Sequence, residues 1–383
     1  MRILHFADLH LGRSLHGQSL IEDQFYVLNQ LVSMAQETAP DVVLVAGDVY
    51  DRAVPPAEAV ALLDEILGRL LLDTHVPVVL IPGNHDSPER LTFGARLLRA
   101  GNLHLFKNFG SNNVVTLTDQ HGPLDIYAVP FAEPPVARQD LNCSDVVDHN
   151  SAIREVVRRI RETRVEGRRS ILLGHAFVAG GQATESERPL VIGGAGAVEP
   201  TGLTGFSYVA LGHLHRAQSA GQDNIHYSGS ILAYSFAEAD QVKSVNLVEI
   251  GPGGECMMER IPLQPRHAVR CATGLFEDLK KGSAAGAAVD DYLEITLLDR
   301  GPVLDAMGQL RHVYPNLLHV QRTLPNIPGP AAAPRLDHRR TCTGELFSFF
   351  FRQVTGQDLT DAESAAFVEV YQHCQIQVRE AGR

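Results

Sequence analysis

Seventeen histidines stand in this 383-residue chain, and several sit beside Asp or Asn in short clusters. Asp8-Leu9-His10 is the first, Gly47-Asp48-Val49-Tyr50-Asp51 the second and Gly83-Asn84-His85-Asp86 the third. Gly174-His175 and Gly212-His213-Leu214-His215 complete the set. In an extended chain, side chains two residues apart point the same way, so Asp8 with His10, and His213 with His215, can each reach one ion. The donors are imidazole, carboxylate and amide oxygen, without thiolate. That mix suits borderline divalent ions such as Mn²⁺, Fe²⁺ or Zn²⁺ over Ca²⁺ or a sulfur-bound zinc. Asp8, His10, Asp48, Asn84, His175, His213 and His215 are too many ligands for one ion. Two ions bridged by a carboxylate would use them, and a pair about 3.5–4 Å apart clamps a phosphate while activating a water. A single Asp-x-His or Gly-His is usually structural; the ordered recurrence carries the reading.

Each cluster closes an apolar run that reads as a strand: residues 2–7, 42–46, 77–81, 170–173 and 207–211. Helical patterns over 22–38, 57–72, 88–99 and 151–165 alternate with these runs and with further strands at 103–106, 225–228 and 243–250. Such alternation implies crossover connections and largely parallel, buried strands. In sheets of that kind, sites gather at the carboxyl ends of strands, where all these clusters fall. Residues 113–117 and 124–129 read as hairpin strands, and Gly251-Pro252-Gly253-Gly254 as a hairpin turn.

Past residue 265 the pattern restarts with strand 267–272, helix 275–281, strand 291–298, helix 303–313 and strand 317–322. A proline-rich linker over 325–334 and two short helices, near 343–354 and 360–380, follow. The expected organisation is a catalytic domain over 1–264, a small α+β cap over 265–324, the linker, and a helical tail over 335–383.

Composition sets limits. Hydrophobic residues at 44% and charged residues at 20% describe a soluble globular chain with a large core. No apolar run approaches the roughly 20 residues that span a bilayer. The apolar stretch from Ile3 is preceded by one Arg2 and ended by Asp8 and His10, unlike a secretory signal. Five scattered cysteines form no CxxC pair, so a reducing cytoplasm is expected and the Asn142-Cys143-Ser144 sequon reads as chance. A net charge of -12 argues against broad electrostatic wrapping of nucleic acid but allows a local basic surface. The densest basic stretch runs from Arg154 to Arg169; Arg154, Arg158 and Arg161 either track phosphates at helical spacing or form a solvated face with interspersed glutamates. The chain has no Gly-Lys-Ser/Thr phosphate loop, so it is expected to bind no nucleotide itself, and Gly193-Gly194-Ala195-Gly196 reads as a plain loop.

The order and spacing of the motifs resemble the calcineurin-like metallophosphoesterase superfamily. This resemblance implies an α/β fold, a four-layer αββα sandwich of mixed sheets. Ile3 to Arg13 and Tyr208 to His215, followed by Tyr227-Ser228-Gly229-Ser230 and Ser235-Phe236, resemble the SbcD family of DNA repair nuclease subunits. The likeness is strongest over 1–240 and loose from Gly344 to Val370.

By this resemblance one metal is held by Asp8, His10, Asp48 and His215, and the other by Asp48, Asn84, His175 and His213, with Asp48 bridging. Mn²⁺ is the implied ion, with Fe²⁺ or Mg²⁺ as alternatives. The resemblance gives His85 transition-state stabilisation or leaving-group protonation; a helix-capping histidine is the alternative. Asp51 would orient His85, or else form a surface salt bridge, and Asp86 would cap the helix starting at Pro88. Arg13 and His16, just past the first ligand pair, are the candidates for substrate contact.

DNA is the implied substrate, with ATP-dependent 3′-to-5′ exonuclease action on duplexes and endonuclease action on single strands and hairpins, in repair, replication and recombination. The implied partner is a coiled-coil ATPase, SbcC, docked on the aromatic run Leu346-Phe347-Ser348-Phe349-Phe350-Phe351; packing of that run onto the cap is the alternative. By the same resemblance, surplus leucines over 57–72 and 88–99 would form a homodimer bundle. The competing functions are a phosphoesterase for small phosphodiesters or phosphoproteins, and a non-catalytic scaffold of the same fold. The cap and aromatic tail disfavour the first, and the complete ligand set disfavours the second.

Overall fold

The computed structural model describes residues 1–187, 196–282, 289–299, 301–323 and 343–381. The expected linker over 325–334, and Gly193 to Ala195 of the glycine-rich loop, lie outside these residues. The chain divides into two compact units, the larger holding Met1–Cys271 together with the segments around Tyr292 and His319.

Two six-stranded sheets form the larger unit. In the first, β1 (Arg2–Phe6), β2 (Val42–Ala46), β3 (Val78–Ile81) and β4 (Leu103–Leu105) run parallel in that order. Ser244–Ile250 and Cys256–Pro262 extend it antiparallel beyond β1. In the second, Gly122–Val129, Arg169–His175, Tyr208–Gly212 and Gln222–Tyr227 run parallel, flanked by antiparallel edges Val114–Asp119 and Gln218–Ala220.

The parallel strands are aliphatic on both faces because both are covered. Val43 and Val45 join one core with helices Ile21–Thr38 and Ala57–Gly68, through residues such as Leu31 and Leu62. Val42, Leu44 and Ala46 face the other way, into a core shared with Ile171, Leu173 and Ala210 of the second sheet. That sheet's outer face packs on helices Pro134–Leu141 and His149–Thr163. Three stacked cores make four layers, the αββα sandwich. Helix His149–Thr163 begins at a capping box, where Asp148 accepts from the Ser151 N–H at 2.7 Å and Ser151 Oγ accepts from the Asp148 N–H at 3.0 Å.

A third sheet has the order Val269–Gly274, Tyr292–Leu297, Leu317–Arg322. In the smaller unit, helices Phe276–Lys280 and Ala306–Arg311 pack together, and Thr343–Thr355 meets Asp361–Ala381 through Phe347 stacked on Phe367 at 3.8 Å. Among the described residues, no helix is long and apolar enough to cross a membrane.

The continuous helix expected over 88–99 is instead broken into Pro88–Leu91, Ala95–Leu98 and a 3-10 turn at Arg99–Gly101. Gly94 breaks it by adopting φ 75, outside the helical region. The helix expected over 57–72 loosens after Gly68 into a π turn, Arg69–Asp73. Strand Cys256–Pro262 and helix Pro134–Leu141 have no counterpart in the sequence pattern; the strand is a half-exposed edge whose composition lacks a clear alternation.

Candidate active site

The site is built where the parallel strands end. Asp8 leaves β1 with its N–H donated to Gly47 O at 3.0 Å, and the His10 N–H reaches Asp48 O at 3.0 Å. The first two motifs therefore lie side by side. Asp8, His10, Asp48 and His213 hold φ values of 54, 43, 48 and 111. Each such non-glycine conformation costs on the order of 1–3 kcal/mol and persists only where the surroundings impose it. Gly83 is required by crowding: a Cβ there would lie 2.2 Å from Asp48 Oδ1. At Gly47 (φ 89) it would lie 2.4 Å from His175 Nδ1.

The ligand atoms of Asp8, His10 and His215 lie within 4.8 Å of one another, and those of Asp48, His175 and His213 do the same. Asp48 Oδ2 stands between the two groups, 3.7 Å from His10 Nε2 and 3.5 Å from His175 Nε2. Asn84 Oδ1 is 3.0 Å from both His175 Nε2 and His213 Nδ1. Every residue named as a ligand from the sequence thus comes to one place. His175 Nδ1 donates to Ala46 O at 2.8 Å, which leaves Nε2 as the ring's acceptor.

The donor set fits two divalent ions. His10 Nε2 and His215 Nε2 face each other at 3.0 Å, beside the buried carboxylates of Asp8 and Asp48. Burial presses the imidazoles of His10 and His175 below their ordinary pKa, and that of His213 down to about 3. They are therefore neutral near pH 7, as metal ligation requires. Burial and the charge of Asp48 push Asp8 well up. Burial opposes ionisation of Asp48 as well, yet His175 and His85 hold it below the usual carboxylate range. Two carboxylates this deep need positive charge among them, and ions would supply it.

His85 meets the ligands from the side, its ring 4.6 Å from that of His10 and edge-on to it. Its N–H donates to Asp48 Oδ1 at 2.9 Å, and its Nδ1 donates to the main-chain carbonyl of Asp51 at 2.8 Å. The expected orienting role of Asp51 therefore runs through backbone. Its carboxylate instead meets Arg13 Nη1 at 3.2 Å and lies 3.6 Å from His10 Nδ1. Asp86 does not cap the following helix; Ser87 does, with Oγ 3.5 Å from the Arg90 N–H. Asp86 turns inward and accepts the N–H groups of Val49, Tyr50 and Gly83 at 3.0, 2.8 and 2.9 Å, tying two ligand loops together. Burial and Asp48 push its pKa up to about 7 despite those donors.

Arg13 also reaches Ser186 O at 3.2 Å and lies over the Tyr234 ring. His16 stands apart from the ligand groups, stacked on His319 at 4.9 Å and tilted against Phe236 at 5.3 Å. Most of the basic stretch is engaged within the fold: Arg158 and Arg159 pair with Glu155, Arg161 bonds Thr204, Arg168 pairs with Asp125 and Arg169 with Asp119.

Behind His215 lie Ser186, Glu187, Glu238 and Lys243, none singled out from the sequence. No spacing toward His215 marks them: Ser186 and Glu187 come from one loop, Glu238 from the 3-10 turn Phe236–Glu238 and Lys243 from just before strand Ser244–Ile250.

A family model described as calcineurin-like phosphoesterase matches residues 1–217. A second, described as the type 5 capsule protein repressor C-terminal domain, matches 265–355. The chain is 33% identical over 365 residues to the SbcD subunit of the SbcCD nuclease of Staphylococcus saprophyticus, covering 95% of this chain and 96% of that protein. Among solved structures, TT1561 of Thermus thermophilus aligns with a TM-score of 0.38 at 14% identity, over 68% of this chain and 98% of that one. A dimetal phosphatase from Danio rerio aligns with a TM-score of 0.40 at 12% identity, over 67% and 98%. The chain belongs to the calcineurin-like phosphoesterases and, within them, to the SbcD family of nuclease subunits, metal-dependent hydrolases of phosphodiester bonds.

Proposed function

We propose that this protein cuts DNA phosphodiester bonds with two divalent ions. One is held by Asp8, His10, Asp48 and His215, the other by Asp48, Asn84, His175 and His213. The observation that carries this reading is the pair of ligand groups with Asp48 Oδ2 3.7 Å from His10 Nε2 and 3.5 Å from His175 Nε2, and with His85 at their flank. When bound, the ions supply Lewis acidity to the phosphate and a water of lowered pKa. Mn²⁺ is the proposed ion, with Fe²⁺ or Mg²⁺ as substitutes.

His85 is the proton-transfer residue. With Nδ1–H committed to the Asp51 carbonyl, Nε2 is the atom that can exchange a proton with the leaving oxygen. The Asp51 main chain orients it. Arg13, braced by the Asp51 carboxylate and Ser186 O, supplies positive charge at the rim, and His16 contacts the nucleic acid farther out.

The family relationship supports an ATP-dependent 3′-to-5′ exonuclease on duplex DNA and an endonuclease on single strands and hairpins, working in repair, replication and recombination with SbcC in the cytoplasm. Residues 1–264 are the proposed catalytic domain, 265–324 the cap and 335–383 the tail that docks SbcC. Phe349, Phe350, Val370 and Tyr371 expose apolar surface there. Phe93 and Leu97, 85% and 81% exposed, lie in the proposed homodimer face.

Mn²⁺-dependent cleavage of end-labelled single-stranded and hairpin DNA, by wild type, Asp48→Ala and His85→Gln, tests the reading. Cutting lost in both variants supports it. Turnover of cyclic nucleotides but never of DNA, with or without SbcC and ATP, overturns it.

A further inference from the structure

Behind the ligand cluster runs a chain of buried polar contacts converging on one residue. His215 Nδ1 lies 2.6 Å from Ser186 Oγ. That hydroxyl bonds Glu238 Oε1, which is itself 3.4 Å from His215 Nδ1. Glu238 is fully buried, and its other oxygen accepts from Lys243 Nζ. Lys243, itself buried, donates further to His215 O at 2.9 Å and to Ser230 Oγ at 2.9 Å. Glu187 Oε1 takes the His215 N–H at 2.8 Å. The ring, the N–H and the carbonyl of His215 are each held by a different partner.

The direction of the contacts follows from what each group can do. A carboxylate paired with a lysine only accepts, so Ser186 donates its hydroxyl proton to Glu238. The Ser186 oxygen then accepts from His215 Nδ1–H. The proton thus sits on Nδ1, and the Nε2 lone pair points toward His10 Nε2. A buried ion pair is a poor source of stability, because desolvation offsets its attraction. Orientation of a ligand explains its place better, as outer partners of metal-bound histidines commonly do.

We infer that Ser186, Glu238 and Lys243 form a positioning relay that fixes the His215 ring with Nε2 free for the ion shared with Asp8 and His10. The inference rests on the proposed ligand role of His215.

The test is calorimetric titration of the full metal-stripped chain with Mn²⁺, using wild type, Ser186→Ala, Glu238→Gln, the double variant Glu238→Gln/Lys243→Met, and His215→Ala. His215→Ala should lose one of two binding steps. Ser186→Ala and Glu238→Gln should weaken that same step by about 10–100-fold and leave the other unchanged. If Glu238→Gln fails to fold because Lys243 is left uncompensated, Ser186→Ala and the double variant decide, with thermal melts confirming their fold. Wild-type affinity in those two, alongside a lost step in His215→Ala, overturns the relay and leaves the ligand assignment standing. Both steps intact in His215→Ala overturns the ligand assignment and the relay with it. Imidazole ¹⁵N spectra add a readout that general loosening would not mimic. The His215 signal, identified by its absence in His215→Ala, should report a proton on Nδ1 in wild type and lose that preference in Ser186→Ala. A wild-type proton on Nε2 overturns the relay.

Discussion

Among the described residues of the larger unit, two buried histidine clusters differ in kind: one has the makings of a catalytic centre and the other does not. Around Asp48, imidazoles, carboxylates and an amide converge. Around Tyr208, His5 Nδ1 meets the phenol oxygen at 3.0 Å, Asn246 Nδ2 donates to it at 3.1 Å, and His226 stacks on its ring at 5.6 Å. Histidines in both are pressed to low pKa by burial: His5, like His213, to about 3. Unpartnered buried atoms occur in both too, His10 Nδ1 in one and Asn246 Oδ1 in the other. Neither burial nor an orphaned atom therefore separates a site from a structural network.

Two features do. The Asp48 cluster contains carboxylates that face its imidazoles, whereas His5, Tyr208 and Asn246 form a neutral hydrogen-bonded set. The Asp48 cluster also imposes left-handed backbone on four of its own residues, while His5, Tyr208, His226 and Asn246 all keep ordinary conformations. Such backbone persists only where the surroundings impose it, and in the Asp48 cluster it falls on four of the residues proposed as ligands.

The comparison breaks most sharply at the two central residues. Asp48→Ala should abolish Mn²⁺-dependent cleavage, a loss on the order of 10³-fold or more, since it removes the proposed shared ligand. Tyr208→Phe assayed beside it should stay within about 3-fold of wild type, because its partners His5, Asn246 and His226 are none of the proposed ligands. A Tyr208→Phe enzyme as dead as Asp48→Ala would erase the distinction. Next in size, His85→Gln should lower kcat by about 10²–10⁴-fold while calorimetry finds Mn²⁺ affinity unchanged. Wild-type turnover by a metal-loaded His85→Gln would remove its proton-transfer role.

Glycine substitutions sharpen the contrast through backbone crowding. Gly83→Ala would force a methyl against Asp48 Oδ1, so weaker Mn²⁺ binding and a stability loss of about 1–3 kcal/mol are expected in denaturant melts. Gly68→Ala, in helix Ala57–Gly68 with nothing within 4 Å of the added carbon, should be neutral or stabilising by up to about 1 kcal/mol.

The Tyr208 network should announce itself in acid. An unfolded histidine gains a proton below about pH 6.5, whereas folded His5 resists until about 3, so stability is complete above pH 6.5 and lost as pH falls toward 3. At pH 5 this amounts to about 2 kcal/mol, and His5→Gln should flatten that slope in melts at pH 5 and 7. Smallest of all, Tyr208→Phe should lower stability by about 1 kcal/mol.

Much of this arrangement is legible along the chain. Aliphatic runs such as Val42 to Ala46 declare strands buried on both faces, and a polar ligand directly after such a run must sit at the strand's carboxyl end. Strand-end clustering and the ligand types thus follow from local pattern. The broken helix over 88–99 does not, because leucine spacing outweighs a single Gly94 whose left-handed φ only the folded chain reveals.

Residue order alone dictates the chemistry available: which donors exist, in what succession, and that they close strands. Packing decides their use. Asp51 meets His85 through its carbonyl because Arg13 holds its carboxylate. Asp86 turns from its own helix to bind Val49 and Tyr50. Glu238 and Ser186 close on His215 from positions 23 and 29 residues away. Periodicity encodes neighbours along a strand or helix, and contacts at such separations arise only when packing brings loop ends together.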